Sequence, residues 1–192
     1  MVNKLGFTVA LAATFFAISP AFAGDCDRDA FGGWSQTDKT SARTEVLIRD
    51  SIEYPDVHFY SDNTYRVING TWIDGLDGKA LIHVDASTIE IDHIIPVCFA
   101  WKHGADKWSY EKRRAFYNDT RFLIVTRKSL NAAKGASPAW EVSNEQATNC
   151  EYVSLFQEGV DLYGMELTDA ERGWLKFARA KACGGSVNAE GL

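Results

Sequence analysis

Four cysteines, Cys26, Cys98, Cys150 and Cys183, follow an apolar N-terminal leader, and this combination constrains the fold more than any other feature of the chain. The leader runs from Leu5 to Ile18 behind Lys4. It ends in Ala21-Phe22-Ala23, a small-x-small cleavage signature, so residues 1–23 read as a secretory signal peptide. An exported chain enters an oxidising compartment, where an even cysteine count most simply means two disulfides. No CxxC pair is present, which argues against a structural zinc site. Three pairings are open to four cysteines; the preferred one joins the ends through Cys26–Cys183 and leaves Cys98–Cys150 inside.

The 192 residues less the 23 of the leader leave 169, enough for one domain with its own core. With 46% hydrophobic and 24% charged residues and no repeat, the composition excludes fibrous and disordered classes. No second apolar span of membrane length follows the leader. The expectation is a monomer, secreted or periplasmic and not membrane-bound, with its domain over residues 24–183 and a loose tail over 184–192.

Ser41 is placed to cap a helix over residues 42–51. Four stretches rich in β-branched and aromatic residues follow, at 57–60, 65–73, 80–84 and 88–94, separated by Asp, Asn and Gly. They read as antiparallel strands. Pro96 suits the first turn of a short helix through Lys102, and Ser109 caps another through Tyr117, with Trp108 and Phe116 as core anchors. A further strand spans 121–126, and a helix over 128–134 stops at Gly135. Helices over 144–163 and 168–182 close the chain, the last opened by the capping box Thr168-Asp169-Ala170-Glu171.

The formal charge of −6 becomes −7 once Lys4 is removed with the leader, which argues against a polyanionic partner. Its distribution argues the other way. Between Lys102 and Lys134 lie nine Lys or Arg against three acids, a local +6, and the rest of the mature chain carries −13. Charges more than about 8–10 Å away are largely screened at physiological salt, so a local basic field can gather nucleic acid on an acidic protein. On this reading Arg113 and Arg114 belong to the docking surface, with Trp101 and Trp108 near enough to stack on bases.

The chemistry is concentrated in Glu90-Ile91-Asp92-His93-Ile94-Ile95-Pro96, taken together with Asn131-Ala132-Ala133-Lys134-Gly135. Phosphodiester hydrolysis needs a deprotonated water, compensation for charge building on phosphorus, and help for the leaving oxygen. His93 has the side chain to take a proton near pH 7. Asp92 and the amide carbonyl of Asn131 are hard oxygen donors of the magnesium type. Asn131 and Lys134, spaced i, i+3, share one helix face. Neighbouring strand residues project to opposite faces, so Asp92 and His93 meet one site only if the strand bulges or ends there. His58, His83 and His103 are not needed by the site.

The ordered set just given, with Ala100-Trp101, Gly104-Ala105, Trp108, Arg113-Arg114-Ala115-Phe116, Asn118-Asp119 and Trp140, resembles the secreted HNH nucleases related to the C-terminal domain of GmrSD-type restriction enzymes. The likeness extends upstream to Arg43-Thr44-Glu45-Val46-Leu47 and Arg49-Asp50, and downstream to Cys150-Glu151-Tyr152-Val153. It implies an α+β fold with a ββα-metal (HNH, or His-Me finger) core, antiparallel strands and flanking helices. It implies that Asp92 and Asn131 hold a divalent metal, most simply Mg2+, with Mn2+ or Ca2+ as substitutes. His93 would activate water, Arg43 and Lys134 would contact the substrate phosphate, and Glu90 would orient the site. One position departs from the pattern. Nine residues before Asn131, where the family carries the middle Asn that braces the hairpin, stands Phe122.

The expected function is therefore a secreted endonuclease, cutting DNA in preference to RNA and gripping mainly the backbone. The competing readings are a disulfide-stapled binding module, an inactive HNH-like protein, or a hydrolase of another phosphate ester.

Overall fold

A computed structural model of the chain describes residues 26–36, 40–59, 64–142 and 149–184. The expected signal peptide and residues 185–192 of the expected tail lie outside that range, as do residues 144–148 of the helix expected to begin at Asn144.

Eleven helices and strands order the described chain. Helix α1 (Ala42–Arg49) is followed by strands β1 (Asp56–Phe59), β2 (Tyr65–Ile73), β3 (Ala80–Asp85) and β4 (Ile89–His93). Helices α2 (Val97–Lys102) and α3 (Tyr110–Tyr117) separate β4 from β5 (Leu123–Arg127). The last elements are helices α4 (Lys128–Lys134), α5 (Cys150–Tyr163) and α6 (Asp169–Ala182). The expected order of strand, helical insertion, strand and helix is thus present, and the strands are antiparallel as expected. They divide into a three-stranded sheet β1-β2-β3 and a separate pair β4-β5. Local chemistry sets the boundaries. Ser41 and Ser109 cap α1 and α3 by accepting from Thr44 and Lys112 N–H, and the box between Thr168 and Glu171 opens α6.

One face of the β4-β5 pair is apolar and meets a core, while the other carries Glu90 and Asp92 on β4 and, on β5, Ile124, which packs against a second core. On one side Ile89, Ile91, Leu123 and Val125 pack with Val46 and Leu47 of α1 and with Val67, Trp72 and Leu81 of the larger sheet. Trp72, fully buried, donates its indole N–H to the Leu47 carbonyl at 2.8 Å and locks α1 to β2. The second core gathers Phe31, Ile94, Ile95, Phe99, Phe116, Tyr152, Phe156 and Val160. The pair β4-β5 is therefore clamped between cores, and a site built on it starts from rigid backbone.

Two disulfides form, but with other partners than the preferred pairing. Cys26 joins Cys98, and Cys150 joins Cys183, so Cys26–Cys183 and Cys98–Cys150 are both incorrect. The reason is the α5–α6 hairpin. Both helices are 14 residues long, so an antiparallel turn returns the chain just past the end of α6 to the start of α5. Cys183 is thereby committed, and Cys26 is left to reach Cys98 in α2, just beyond β4.

Candidate active site

Strand β4 and helix α4 run in the same sense, because β5 reverses the chain once and α4 reverses it again. Their residues match in steps. Asn131 donates from its amide nitrogen to Glu90 Oε2 at 2.7 Å, and one turn later Lys134 reaches Asp92. Two residues along a strand span about 6.6 Å and three along a helix about 4.5 Å, a difference that the long lysine side chain absorbs. Lys134 Nζ donates to Asp92 Oδ1 at 3.0 Å and to the His93 carbonyl at 2.9 Å. It also lies 2.9 Å from Asp92 Oδ2, which accepts no hydrogen bond and is closed to solvent. Burial raises the pKa of Asp92 and lowers that of Lys134, each against the pull of its partner.

His93 is the last residue of β4, and that ending resolves the tension between alternate faces: Asp92 and His93 are both buried and both border the same cavity. The imidazole Nε2 lies 2.8 Å from the Tyr117 carbonyl at the end of α3. A carbonyl only accepts, so Nε2 carries the hydrogen and the neutral ring keeps its lone pair on Nδ1. Trp34 stacks on the ring, with centroids 5.2 Å apart and planes inclined by 15°, and Tyr117 flanks it at 4.5 Å. Burial pushes the His93 pKa down to about 4; the Tyr117 contact opposes this, while the charges of Lys134 and Arg28 add to it.

The cavity measures about 440 Å³ and is bordered by Glu90, Asp92, His93 and Asn131, with Arg43 and Arg28 on its walls. The three side chains singled out from distant parts of the sequence, Asp92, His93 and Asn131, are thus brought together. Arg43 is there as well, but its Nη2 is held by the carbonyls of Ala86 and Ile89 at 2.7 and 3.2 Å. Lys134 is a correction. It is 3% exposed, is not part of the cavity lining and is paired with Asp92, so its ammonium serves the carboxylate rather than a phosphate.

The oxygen donors that border the cavity are of the kind a hard cation takes: the Asp92 carboxylate, which is also paired with Lys134, the neighbouring Glu90, and Asn131, whose committed amide nitrogen leaves the carbonyl end free of any described partner. Among the described residues no group of three or more His, Cys, Asp or Glu side chains is placed to hold a metal ion by itself. An ion held here would keep positions for water and phosphate, the habit of magnesium.

Several cations of the basic stretch make contacts within the protein. Arg113 is spent on the carbonyls of Ala30 and Trp108, at 3.0 and 2.6 Å, and Arg114 on that of Gly32 at 3.4 Å. Arg121 pairs with Asp119, and Arg127 with Asp74 and Asp77. Lys112 sits 4.3 Å from the centre of the Trp108 ring. These cations bind the protein to itself.

Phe122 is a core residue, 2% exposed, and its backbone does part of what a bracing amide would do, since its carbonyl accepts from Ile94 N–H at 2.9 Å. The amide that braces the site is Asn118. It accepts from Ser35 N–H at 2.6 Å and donates to the carbonyls of Gly33 and Arg114. Two residues of the site were missed in the sequence, Arg28 and Trp34. Both lie far upstream of the motif, and the signal that could have found them is the nearby Cys26.

With this geometry in hand, the comparisons place the chain. The family model described as GmrSD restriction endonucleases, C-terminal domain, matches residues 29–175. A protein of Arthroderma benhamiae, named an uncharacterized secreted protein, is 30% identical over 150 residues, covering 76% of this chain and 70% of that protein. No solved structure matches. The chain belongs to the family of GmrSD restriction endonuclease C-terminal domains, a nuclease family, and the resemblance drawn from the motif residues holds.

Proposed function

We propose that the protein is an exported, metal-dependent endonuclease of the HNH type, with the β4-β5-α4 unit as its ββα-metal core. One observation carries the reading: Asp92, His93 and Asn131, widely separated in sequence, border one cavity together with Glu90 and two arginines. The family supports a nucleic-acid substrate, and the secreted relative supports export, in keeping with the leader in the sequence.

In this mechanism His93 Nδ1 accepts the proton of an attacking water while Tyr117 O holds the opposite nitrogen in place. The water oxygen forms a bond to phosphorus, and the bond to the leaving sugar oxygen breaks. A ring buried under Trp34 stays neutral and ready at pH 7. Asp92 and Asn131 would hold a divalent ion, with Glu90 orienting the amide; when bound, the ion would supply Lewis-acid compensation for charge on the phosphate. Magnesium is the proposed ion. Lys134 fixes the Asp92 carboxyl in place inside the protein and favours its charged form against the effect of burial.

A plasmid-nicking assay tests the reading. Wild type nicks DNA with magnesium and stops with EDTA, and His93→Ala loses the activity by about a hundredfold or more, in the range expected for a general base. Metal-independent or absent cleavage in both proteins would instead support a disulfide-stapled binding module. Chromogenic phosphodiesters and RNA, run beside DNA, separate the substrate classes.

A further inference from the structure

The N-terminal segment, residues 26–36, forms a wall of the cavity, and much of the surrounding structure serves to hold it there. Phe31 is fully buried in the core. Arg113 grips the Ala30 carbonyl, Arg114 that of Gly32, and Asn118 both the Gly33 carbonyl and Ser35 N–H. Gly32, at φ +75°, lies so close to Tyr110 that a Cβ there would fall 2.5 Å from the phenol oxygen. Cys26–Cys98 fixes the front of the segment, and Cys98 itself borders the cavity. Arg28 thus sits between two anchors, the disulfide on one side and the Arg113–Ala30 contact on the other.

Among the described residues, the other arginine that lines the cavity and the basic side chains packed behind it are spent. Lys134 belongs to Asp92, Arg43 to two carbonyls, and Arg113 and Arg114 to the segment itself. The guanidinium of Arg28 makes no hydrogen bond or ion pair to any described residue, yet it lines the cavity. The neighbouring Asp27 carboxylate is turned to the chain, accepting from Asp29 and Ala30 N–H. An exposed, uncommitted guanidinium facing a site for phosphodiesters is a planar fork matched to phosphate oxygens.

We infer that Arg28 is a substrate-binding residue that grips a phosphate of the nucleic acid, and that the Cys26–Cys98 disulfide delivers it to the site. This rests on the nuclease reading and names its anion contact. It also ties substrate grip to export. In a reducing compartment a dithiol donates two electrons and two protons, the two thiols form, and Arg28 hangs free ahead of Ala30.

The test uses the full mature chain. Binding is measured by fluorescence anisotropy with a labelled 12-base-pair DNA duplex in EDTA, in a His93→Ala background. Cleavage is measured with magnesium in the His93 protein. Arg28→Gln raises Kd about tenfold, lowers the slope of log Kd against log salt by about one, and leaves the melting temperature unchanged. Arg28→Lys recovers part of the loss. Cys26→Ser/Cys98→Ser raises Kd to the same degree, and adding Arg28→Gln to it costs nothing further. Kd and slope within twofold of the parent in Arg28→Gln would overturn the inference, whatever the cysteine variant does. If the cysteine pair proves unstable, Arg28→Gln carries the test alone. A wild type that binds through Arg28 but does not cut would overturn the nuclease reading and leave the phosphate contact standing.

Discussion

Lys134 and Asp92 form a buried ion pair across the α4–β4 junction, with Nζ 3.0 Å from Oδ1 and 2.9 Å from Oδ2. A lysine that reads as a phosphate contact on a helix face is instead an internal counter-ion. Burial raises the pKa of the Asp92 carboxyl, and the ammonium beside it opposes that rise.

Removing one partner of this pair strands the other. Lys134→Met is expected to cost about 3–5 kcal/mol in urea unfolding, because the Asp92 charge is left buried without compensation. The double variant Asp92→Asn/Lys134→Met should regain most of that stability while remaining inactive. Equal losses in the single and double variants would show that the lysine acts through its packing and not its charge.

The imidazole of His93 links stability to pH. Its pKa in the folded protein is about 4, below the unfolded value of about 6.5, so the unfolded chain binds the proton first. The contribution is fully present above pH 6.5 and is lost as pH falls toward 4, by on the order of 3 kcal/mol. The stability difference between wild type and His93→Gln, measured by urea titration at each pH, should shrink across that window. A constant difference would mean that the ring titrates as it does in water.

Disulfide connectivity is open to direct mapping. A non-reducing digest should yield one linked pair containing Cys26 and Cys98 and another containing Cys150 and Cys183. Reduction separates both. A peptide joining Cys98 to Cys150 would contradict the α5–α6 hairpin.

Two glycines in the last helices should respond oppositely. A Cβ on Gly159 in α5 would lie 2.5 Å from Ile95 Cδ1 and 3.2 Å from the Phe122 ring, so Gly159→Ala should destabilise by about 2 kcal/mol through overpacking. Because Ile95 lies two residues beyond His93, cleavage should fall as well. A Cβ on Gly173 in α6 meets nothing within 4 Å, and Gly173→Ala should be neutral or gain up to about 1 kcal/mol from helix propensity. Paired melting curves decide both.

Much of the local structure was legible because it is written in short-range chemistry. Serine, threonine and proline marked helix starts, and β-branched runs marked strands. The spacing of Asn131 from Lys134 gave a shared helix face. The motif around Asp92 and His93 supplied the family, and with it the expectation of one site.

Tertiary structure decided the rest, since long-range partners are chosen by which surfaces meet and not by which residues are near in the chain. Cys183 pairs with Cys150 because two equal helices fold back on each other. Arg113 and Arg114 hold backbone carbonyls of a segment some 80 residues upstream, a partner that charge patterning does not reveal. That segment brings Arg28 and Trp34 beside a histidine to which no short-range pattern connects them. Charge patterning reports how many cations a stretch carries, but only packing determines which of them are already spent.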